Sequence, residues 1–509
     1  MDGHLEQAKS HFEKSLIALN QKDYAQAESE LRQANRLAPN RASILTNLSA
    51  VLVHQQNWSE AITLCDKLLR LDPANVDGLI NLGICHLNIN NQDGALNYFN
   101  RAIEIDANYA SAWVNKGYAL LELERFGESR ICFQKALELN PRSEEALIGL
   151  GNVHCELQEY SQGLEHLSSA LLINPLNEQA KWNKALSLLR VGNFAEGWKL
   201  YESRWSIKGM GEYARHQDLP LWLGASTLMG KTILVYSEQG YGDTIQMGRY
   251  LPLLEREMGA NVIFEVPQPL VALMASLSPN IRVADSETVI KDKSHSSIDF
   301  QCPIMSLPLA FGTSVGSIPN NTPYLFSEPL RTERWQKILT RETFKDPCLP
   351  KPQLKVGISW SGSGHYAGKK NLKRDIPIQE VLSILDGLNS RCIQIHCLQF
   401  PVSQELKSKI LKSRKLYFYN EEINDFADTA ALISQLDLVI SVDTSVAHLA
   451  GALNKPTVIL LPDPPDFLSL STGTKSLWYP SVNLIRQAKR GDWSSAVEKL
   501  FLLIDEKFL

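Results

Sequence analysis

A short apolar run late in the chain stops at three small polar residues, Asp443, Thr444 and Ser445, and a helix pattern follows at once. The segment reads SVDTSVAHLAGALNKPTVILL over residues 441–461. The first backbone N–H groups of a helix are unpaired, and with the helix dipole and nearby hydroxyls they form an anion site. We expect a nucleotide diphosphate to bind there, with His448 in the first turns of the helix. Two simpler interpretations stay open: Asp443 as a helix N-cap, and His448 as a buried structural histidine.

A second polar turn follows an earlier apolar run, in SEQGYGDTIQMGRYLPLL over residues 237–254. Gly240 and Gly242, on either side of Tyr241, let the backbone come close to a ligand, so we expect this turn on the acceptor side of a cleft. Asp243 should lie at the strand-to-helix junction and face that cleft. An acceptor hydroxyl that attacks an oxocarbenium-like sugar carbon needs a base for its proton, and Asp243 is the candidate. The alternative is an aspartate that only caps the helix.

A third segment, GISWSGSGHYAGKKNLKRDIP over residues 357–377, ends a strand in Trp360, Ser361 and Gly362 and continues into a basic loop. A leaving diphosphate carries negative charge that a cation must stabilise in the transition state. The candidates are the four basic side chains Lys369, Lys370, Lys373 and Arg374. Arg374 is favoured because it lies nearest the helix expected next. A solvated basic loop without a ligand is the alternative.

These segments belong to a part of the chain in which β-rich runs alternate with helix patterns, which predicts parallel sheets with helices on both faces. The first set of strands is Lys231–Ser237, Asn261–Val266, Ile281–Ala284 and Ser297–Gln301, followed by a helix at Arg331–Thr343. The second set is Leu354–Trp360, Cys392–Gln399, Lys415–Tyr419, Leu436–Ser441 and Pro456–Leu461. The proline-rich segment Phe344–Leu354 is predicted to link two doubly wound lobes. A ligand cleft is then expected between the lobes, at the carboxyl ends of the strands, with Gln399 on its donor side.

The first 200 residues have a different pattern, with a period of 34 residues. The slots at that period hold Pro39, Pro73, Ala107, Pro141 and Pro175. Twelve residues before each slot stands a small residue: Ala27, Ala61, Ala95, Ser129 and Gly163. Eight residues before each slot stands a larger one: Leu31, Cys65, Phe99, Phe133 and Leu167. Gly83, Gly117 and Gly151 occupy the small position of the preceding helix. This spacing is typical of a tetratricopeptide solenoid, here five repeats over residues 8–177, whose concave surface usually binds a peptide or protein.

A sixth unit begins near Glu178 and changes character at residues 192–205. Trp198, Tyr201 and Trp205 form an aromatic stripe at helical spacing. We interpret this segment as a capping helix that docks the solenoid on the next domain. A sugar-stacking platform is the alternative.

The 509 residues carry a net charge of −5, which gives no basic footprint for nucleic acid. The start of the chain lacks a signal-peptide pattern, and no apolar run reaches the length of a membrane span. The eight cysteines form no CxxC pair, so buried reduced thiols are expected. These features predict a cytoplasmic protein without a transmembrane segment.

Together the three segments resemble the heptosyltransferase-like glycosyltransferases of family 9, which have the GT-B fold, in the version that carries tetratricopeptide repeats. GYGDTIQMGRYLPLL is similar to the family's Gly-Asp motif, whose aspartate is regarded as the catalytic base. VDTSVAHLAGAL is similar to the D-[TS]-[GS]-x-x-H motif, which implies diphosphate or sugar contacts at Asp443, Thr444, Ser445 and His448. The resemblance covers about residues 192–500, including WYPS at 478–481 and RQAKRGDW at 486–493.

The sequence departs from the family in two places. Its basic loop is longer, with GHYAGKKNLKR after the WSG turn. The second departure is the segment PDFLSLSTGTKSLWYP, which lacks the tryptophan-rich sequence expected before WYPS. The family resemblance implies inversion at the anomeric carbon without a required metal, and no Asp-x-Asp stands in the chain. Asp463 and Asp466 are a weak metal-ligand pattern.

We therefore expect a tetratricopeptide solenoid over 1–205, an acceptor lobe over 206–348 and a nucleotide-sugar lobe over 349–509. The expected activity is inverting glycosyl transfer from a nucleotide-diphosphate sugar, with no cofactor and no metal. The repeats would recruit a protein acceptor or partner, and homo-oligomerisation stays open. Two alternatives are a non-catalytic repeat scaffold with a degenerate transferase domain, and another nucleotide-sugar enzyme such as an epimerase. The sugar, the nucleotide base and the acceptor are not specified by the sequence.

Overall fold

A computed structural model describes residues 2–207, 209–291, 298–344, 354–362, 365–366, 369–370, 373–411, 415–419 and 421–509. The chain divides into two compact units, Met1–Asn183 and Lys184–Leu509. The linker predicted at Phe344–Leu354 lies, apart from its two end residues, outside the described residues, as does Cys348. The domain boundaries at 205/206 and 348/349 stay predictions.

The first unit is a row of helical hairpins. Its helices are α1 (Asp2–Asn20), α2 (Tyr24–Leu37), α3 (Ala42–His54), α4 (Trp58–Leu71), α5 (Val76–Asn88), α6 (Gln92–Ile105), α7 (Ala110–Glu122), α8 (Phe126–Leu139), α9 (Glu144–Glu156), α10 (Tyr160–Ile173) and α11 (Glu178–Arg190), the last of which crosses the boundary between the units. The turn inside each hairpin has one residue with left-handed backbone: Lys22, Gln56, Asn90, Glu124 and Gln158, with φ between 58° and 62°. The regular return of this turn confirms the predicted repeat.

The seam of each hairpin explains why the repeat needs its small and large positions. The five small and five large seam residues predicted from the period are all buried. A Cβ atom added at Gly83 would lie 2.4 Å from Cε1 of Phe99, and one at Gly117 would lie 2.8 Å from Cε1 of Phe133. Such contacts leave room only for hydrogen, because real Cβ atoms need more than 3 Å. The predicted tetratricopeptide solenoid is confirmed.

The second unit contains two separate parallel sheets. The first has strands β1 (Thr232–Tyr236), β2 (Asn261–Glu265), β3 (Arg282–Ala284) and β4 (Phe300–Pro303), in the order β3-β2-β1-β4. The second has β5 (Lys355–Ser359), β8 (Gln394–Cys397), β9 (Leu438–Val442), β10 (Thr457–Leu461) and β11 (Val482–Arg486), in the order β11-β10-β9-β5-β8. Between β5 and β8 the short strands β6 (His365–Tyr366) and β7 (Lys369–Lys370) pair antiparallel.

Helices alternate with these strands. They are α12 (Phe194–Tyr201), α13 (Tyr241–Met247), α14 (Leu251–Arg256), α15 (Gln268–Met274), α16 (Ser286–Lys291), α17 (Leu307–Ala310), α18 (Pro329–Phe344), α19 (Ile378–Ser390), α20 (Gln404–Leu411), α21 (Phe426–Ser434), α22 (Ser445–Ala452) and α23 (Trp493–Lys507). Two doubly wound α/β lobes after an α-solenoid are the fold class that the sequence predicts, and this prediction is confirmed.

The strand order places the candidate site. In each sheet the chain changes direction of winding beside a central strand, at β1 and β4 in the first lobe and at β5 and β9 in the second. Ligands of open α/β sheets bind at the carboxyl ends of the strands at such a switch point. Three of these four strands lead directly into the polar segments that hold Asp243, Trp360 and Asp443.

Four expectations differ from the structure. Lys415–Tyr419 is not a strand, because only Tyr417 pairs with the β8 backbone, through one isolated bridge to His396. The edge strand β11 is not predicted. The helix pattern after Asp243 is broken into α13, one 3₁₀ turn and α14. Cys392 is exposed, whereas the other cysteines among the described residues are buried.

No described helix has both the length and the apolar character of a membrane span.

Candidate active site

The start of α22 presents an uncapped helix end after a buried strand. Thr444 is the N-cap residue, with extended backbone at φ −139° and ψ 172°, but its side chain accepts no hydrogen bond from the helix. Its hydroxyl lies 3.1 Å from that of Ser441 instead. Asp443 is therefore not the N-cap. The free N–H groups at Ser445 and beyond keep the capacity to bind an anion.

The carboxylate of Asp443 is bound by two side chains. His448 Nε2 lies 3.3 Å from Oδ1, and the Ser469 hydroxyl donates to Oδ2 at 3.3 Å. Burial alone would raise the pKa of Asp443, but the hydrogen bond from His448 and the nearby charges of His448 and Arg374 hold that pKa below its usual value. Asp443 is thus an ionised, fixed acceptor near neutral pH.

His448 is fixed from both ring nitrogens. Its Nδ1 lies 3.3 Å from the Tyr479 hydroxyl, opposite the contact with Asp443. The His448 side chain keeps 14% of its surface exposed. It is therefore neither fully buried nor free to rotate, and it could offer an N–H group to a ligand at the helix start only in place of one of these two contacts.

Asp243 lies at the third position of α13. Its Oδ2 accepts a hydrogen bond from the backbone N–H of Gly240 at 3.0 Å, so it does cap the helix, as the simpler interpretation has it. The capping bond engages one oxygen atom of the carboxyl group. Burial raises the pKa of Asp243, and the negative charge of Asp443 adds to this, while His448 and Arg374 act in the opposite direction. A raised pKa makes a carboxylate a better general base, because the pKa of an effective base lies near the working pH.

The two helix starts of the two lobes lie against each other. A Cβ atom added at Gly242 would lie 2.9 Å from Cδ2 of His448 and 3.5 Å from the backbone N of Ser445. Glycine is therefore required at Gly242 for this close approach. The structure thus brings together the segment predicted on the acceptor side and the segment predicted to bind a diphosphate.

Tyr241 lies at the edge of this site. It is 41% exposed, and its ring packs edge-on against Phe426 with the centroids 5.3 Å apart. Its exposed ring suits contact with an incoming acceptor. Gly240, before it, is the N-cap residue of α13.

The WSG turn after β5 is organised by Gln399. The side-chain oxygen of Gln399 accepts from the Ser361 N–H at 2.9 Å, the Trp360 N–H at 3.1 Å and the Ser359 hydroxyl at 3.2 Å. Gln399 therefore shapes the turn, in addition to any contact of its amide nitrogen with a donor. The Gly362 N–H is also engaged, by Asp375 at 3.0 Å.

Arg374 connects the WSG turn to the start of α22. Its Nη1 donates to the backbone oxygen of Asp443 at 3.1 Å, and a Cβ atom added at Gly362 would lie 3.0 Å from its Nε. Nε is buried and has no hydrogen-bond partner among the described residues. Of the four basic candidates, Lys373 is exposed, and Lys369 and Lys370 form β7. Among these candidates whose side chains the structure describes, Arg374 is the one that contacts Asp443.

Four residues near this site are not predicted to belong to it. Ser469 and Tyr479 hold Asp443 and His448, respectively, and Glu238 precedes the Asp243 turn. The sequence indicates Asp466 only as a weak metal-ligand candidate. Its side chain accepts from the Leu468 N–H at 3.2 Å, and burial, together with the charges of Asp443 and Asp243, raises its pKa to about 6. The described residues contain no group of three His, Cys, Asp or Glu side chains arranged to hold a metal ion.

Comparisons with known families match two parts of the chain. Models described as tetratricopeptide repeat match residues 18–75, 52–114 and 110–143. The model described as glycosyltransferase family 9 (heptosyltransferase) matches residues 424–467. That match includes Asp443, Thr444, Ser445 and His448, whereas Asp243 lies outside it.

Individual relatives are distant. Protein FlbA of Caulobacter vibrioides is 23% identical over 332 residues, which are 62% of this chain and 53% of FlbA, so the chain spans about half of that protein. A thermophilic tetratricopeptide protein of Thermus thermophilus is 16% identical, with a TM-score of 0.34, over 36% of this chain and 99% of that one. PilF of Pseudomonas aeruginosa is 20% identical, with a TM-score of 0.33, over 40% and 90%. The chain thus carries tetratricopeptide repeats and, in its second α/β lobe, a segment that matches glycosyltransferase family 9.

Proposed function

We propose that this protein is an inverting glycosyltransferase that moves a sugar from a nucleotide-diphosphate donor to an acceptor hydroxyl. The approach of Gly242 to His448 and Ser445 carries the proposal. It sets the candidate base of one lobe beside the candidate diphosphate site of the other. Such convergence of a base and an anion site in a cleft is what a single displacement requires.

In the proposed reaction the acceptor oxygen attacks the anomeric carbon as the bond from that carbon to the diphosphate oxygen breaks. Asp243 takes the proton of the acceptor hydroxyl. The electron pair of the broken bond leaves with the nucleoside diphosphate, whose charge is met by the N–H groups at the start of α22 and by Arg374. Attack on the face opposite the leaving group inverts the anomeric configuration.

Each remaining candidate has a supporting part. Asp443 would accept hydrogen bonds from hydroxyl groups of the sugar nucleotide, and His448 would donate to its hydroxyl or phosphate oxygens. Gln399 would hold the turn of Trp360, Ser361 and Gly362 against the sugar nucleotide. The resemblance to family 9 implies a reaction without metal. The solenoid would recruit a protein acceptor or a partner, as tetratricopeptide surfaces commonly do.

A thermal-shift screen of the full chain against ADP-, UDP-, GDP- and dTDP-sugars tests this proposal. A ligand that binds only the folded state raises stability by about 2.7 kcal/mol at a concentration 100 times its Kd. We expect one nucleotide class to raise the melting temperature, and Arg374→Met to abolish the rise. Arg391→Met is the matched control, since Arg391 pairs with Asp505 at the surface. No shift with any donor at millimolar concentration would support the non-catalytic scaffold. Product formed without any acceptor would indicate an epimerase-like enzyme.

A further inference from the structure

A short segment before the first lobe contacts both halves of the candidate site. This segment, residues 190–206 and here called the brace, includes α12 and a 3₁₀ turn at Glu202–Ser206. Its entry turn has left-handed backbone at Gly192, with φ 84°, 34 residues after the last such turn of the solenoid. The brace therefore begins like another repeat, but its side chains pack within the second unit.

The brace holds the residue before the Asp243 turn through a buried arginine. Arg204 is fully buried, and its Nε and Nη2 donate to the two carboxylate oxygens of Glu238 at 2.8 and 2.9 Å. Nη1 donates to Glu202 at 2.6 Å, and Nη2 also donates to the Ser306 hydroxyl at 2.7 Å. The guanidinium lies 4.0 Å from the centre of the Trp205 ring. A bidentate pair of this kind fixes direction as well as distance.

The next residue of the turn is held by a tyrosine. Gln239 has left-handed backbone, with φ 59°, a conformation that non-glycine residues adopt at a cost and keep only when their surroundings enforce it. Its amide nitrogen donates to the hydroxyl oxygen of Tyr201 at 2.9 Å. Glu238 and Gln239 are the two residues immediately before Gly240, whose N–H binds Asp243. The brace thus anchors both residues that lead into α13.

The same segment packs on the second lobe. Trp198 and Tyr201 are buried against Phe467, with ring centres 6.5 and 5.5 Å apart, so neither is available as a sugar platform. The backbone oxygen of Arg190 accepts from the Ser471 N–H at 2.9 Å. Between these two contacts lies Ser469, which binds Asp443. The brace therefore contacts the turn before Asp243 and the loop that holds Ser469, the partner of Asp443.

We propose that Tyr201 and Arg204 are positioning residues of the transfer reaction: they hold Glu238 and Gln239 and so fix the start of the helix that carries Asp243. The inference rests on the proposed function for its catalytic part. A carboxylate misplaced by about 1 Å can lose about 100-fold in rate, which is why such a brace matters. The solenoid-like start of the brace shows that the catalytic unit includes residues that the repeat pattern assigns to the solenoid.

Tyr201→Phe is the sharpest test, because it removes one hydroxyl and keeps the ring that packs on Phe467. The matched control is Tyr250→Phe, which removes a buried hydroxyl bonded to Thr313 at 2.8 Å in the same lobe. Hydrogen exchange of the unliganded full chain is compared for peptides covering residues 238–243. We expect roughly ten-fold faster exchange in Tyr201→Phe and no change there in Tyr250→Phe. Unchanged exchange in Tyr201→Phe would overturn the proposal.

Kinetics then test the catalytic part. We expect Tyr201→Phe to lower kcat about ten-fold and to leave the donor KM unchanged, since the turn carries the base and not the donor groups. Gln239→Met should give the same loss, and the double variant should lose little more, because both changes remove one contact. Faster exchange with normal kcat would show that the brace serves stability alone. If wild type neither binds nor transfers any nucleotide sugar, the proposed function fails, while the exchange result still decides whether the brace holds the turn.

Discussion

Asp243 and Asp443 occupy corresponding places in two lobes and differ in what surrounds them. Each follows a central strand at a switch point and stands at the beginning of a short helix. Asp243 has a backbone N–H as its hydrogen-bond partner, and burial raises its pKa. Asp443 is also buried, but His448, Arg374 and Ser469 hold its pKa below the usual value.

In the proposed reaction this difference gives the two carboxyl groups different tasks. Groups whose environments push their pKa values apart serve as proton carrier and fixed charge, respectively. Asp243 can gain and lose a proton in the course of a reaction, whereas Asp443 stays ionised and holds His448. Similar positions in similar sheets thus acquire opposite pKa shifts, because His448 and Ser469 contact the carboxylate of Asp443 directly, whereas Asp243 has the Gly240 N–H.

The largest expected effect is the loss of the proton carrier. Asp243→Asn keeps an oxygen for the Gly240 N–H but cannot take a proton, so we expect kcat to fall about 100- to 10,000-fold with the donor Kd unchanged. Single-turnover transfer and calorimetric donor binding measure the two quantities. Near-normal turnover in this variant would remove Asp243 from the base role.

A second expected effect concerns a buried arginine whose hydrogen bonds reach from the first lobe to the second. Arg249 is buried in the 3₁₀ turn that follows α13 and donates to the backbone oxygens of Trp478, Gln246 and Pro319 at 2.6, 2.7 and 2.9 Å. Arg249→Met removes the donor to these three carbonyls and leaves Gln246 with the Tyr324 hydroxyl, and we expect a loss of roughly 3 kcal/mol of unfolding free energy.

Urea unfolding measures this loss, with Arg391→Met as the control. The exposed pair of Arg391 with Asp505 should be worth about 1 kcal/mol or less. Equal losses in the two variants would mean that the Arg249 contacts do not join the lobes in the folded state.

The third expected effect is on donor binding, whereas the first is on kcat. Asp443→Asn removes the ionised acceptor of His448 and Ser469, so we expect donor Kd to rise about ten-fold because the helix start loses its orientation. The acid limb of kcat at saturating donor should remain and move to lower pH, because the charge of Asp443 helps to raise the pKa of Asp243. Loss of the acid limb with unchanged donor Kd would exchange the roles of the two aspartates.

The smallest expected effect is on stability, at Asp466. Its folded-state pKa of about 6 lies above the ordinary 3.8, so the folded state is disfavoured as the pH rises from about 4 to about 6 and stays so above that. Asp466→Asn keeps the acceptor for the Leu468 N–H and removes the charge. We expect a melting temperature a few degrees above wild type at pH 7.5 and equal to it at pH 4. A gain of the same size at both pH values would show that charge is not the cause.

The sequence predicts most of the fold because its strongest patterns are local. The repeat follows from residues such as Gly83 and Phe99, which meet across one hairpin and recur at a fixed period. Strand β11 is not predicted, because a short edge strand is defined by its pairing with a neighbour. The sequence predicts β10 but does not show that β11 pairs with it. Lys415–Tyr419 has strand-like composition, but a strand also needs a neighbour along its length, and only Tyr417 has one.

The candidate site divides in the same way. Asp243 and Asp443 are found because each stands in a recognisable strand-turn-helix segment. Arg204 and Glu238 are not found, because they belong to two different segments and no motif in the sequence indicates that these segments pair. The acidity of Asp466 likewise depends on charges from Asp443 and Asp243, which meet only in the folded chain.

The pH dependence of transfer tests the division between the two aspartates most directly. Single-turnover kcat is measured at saturating donor from pH 4 to 8 for wild type and Asp243→Asn. Because the base must be ionised, wild-type kcat should fall on the acid side, with a midpoint above 3.8 since burial raises the pKa of Asp243. The residual rate of Asp243→Asn should not show this limb. The same acid limb in both proteins would contradict the account, because another group would then carry the proton.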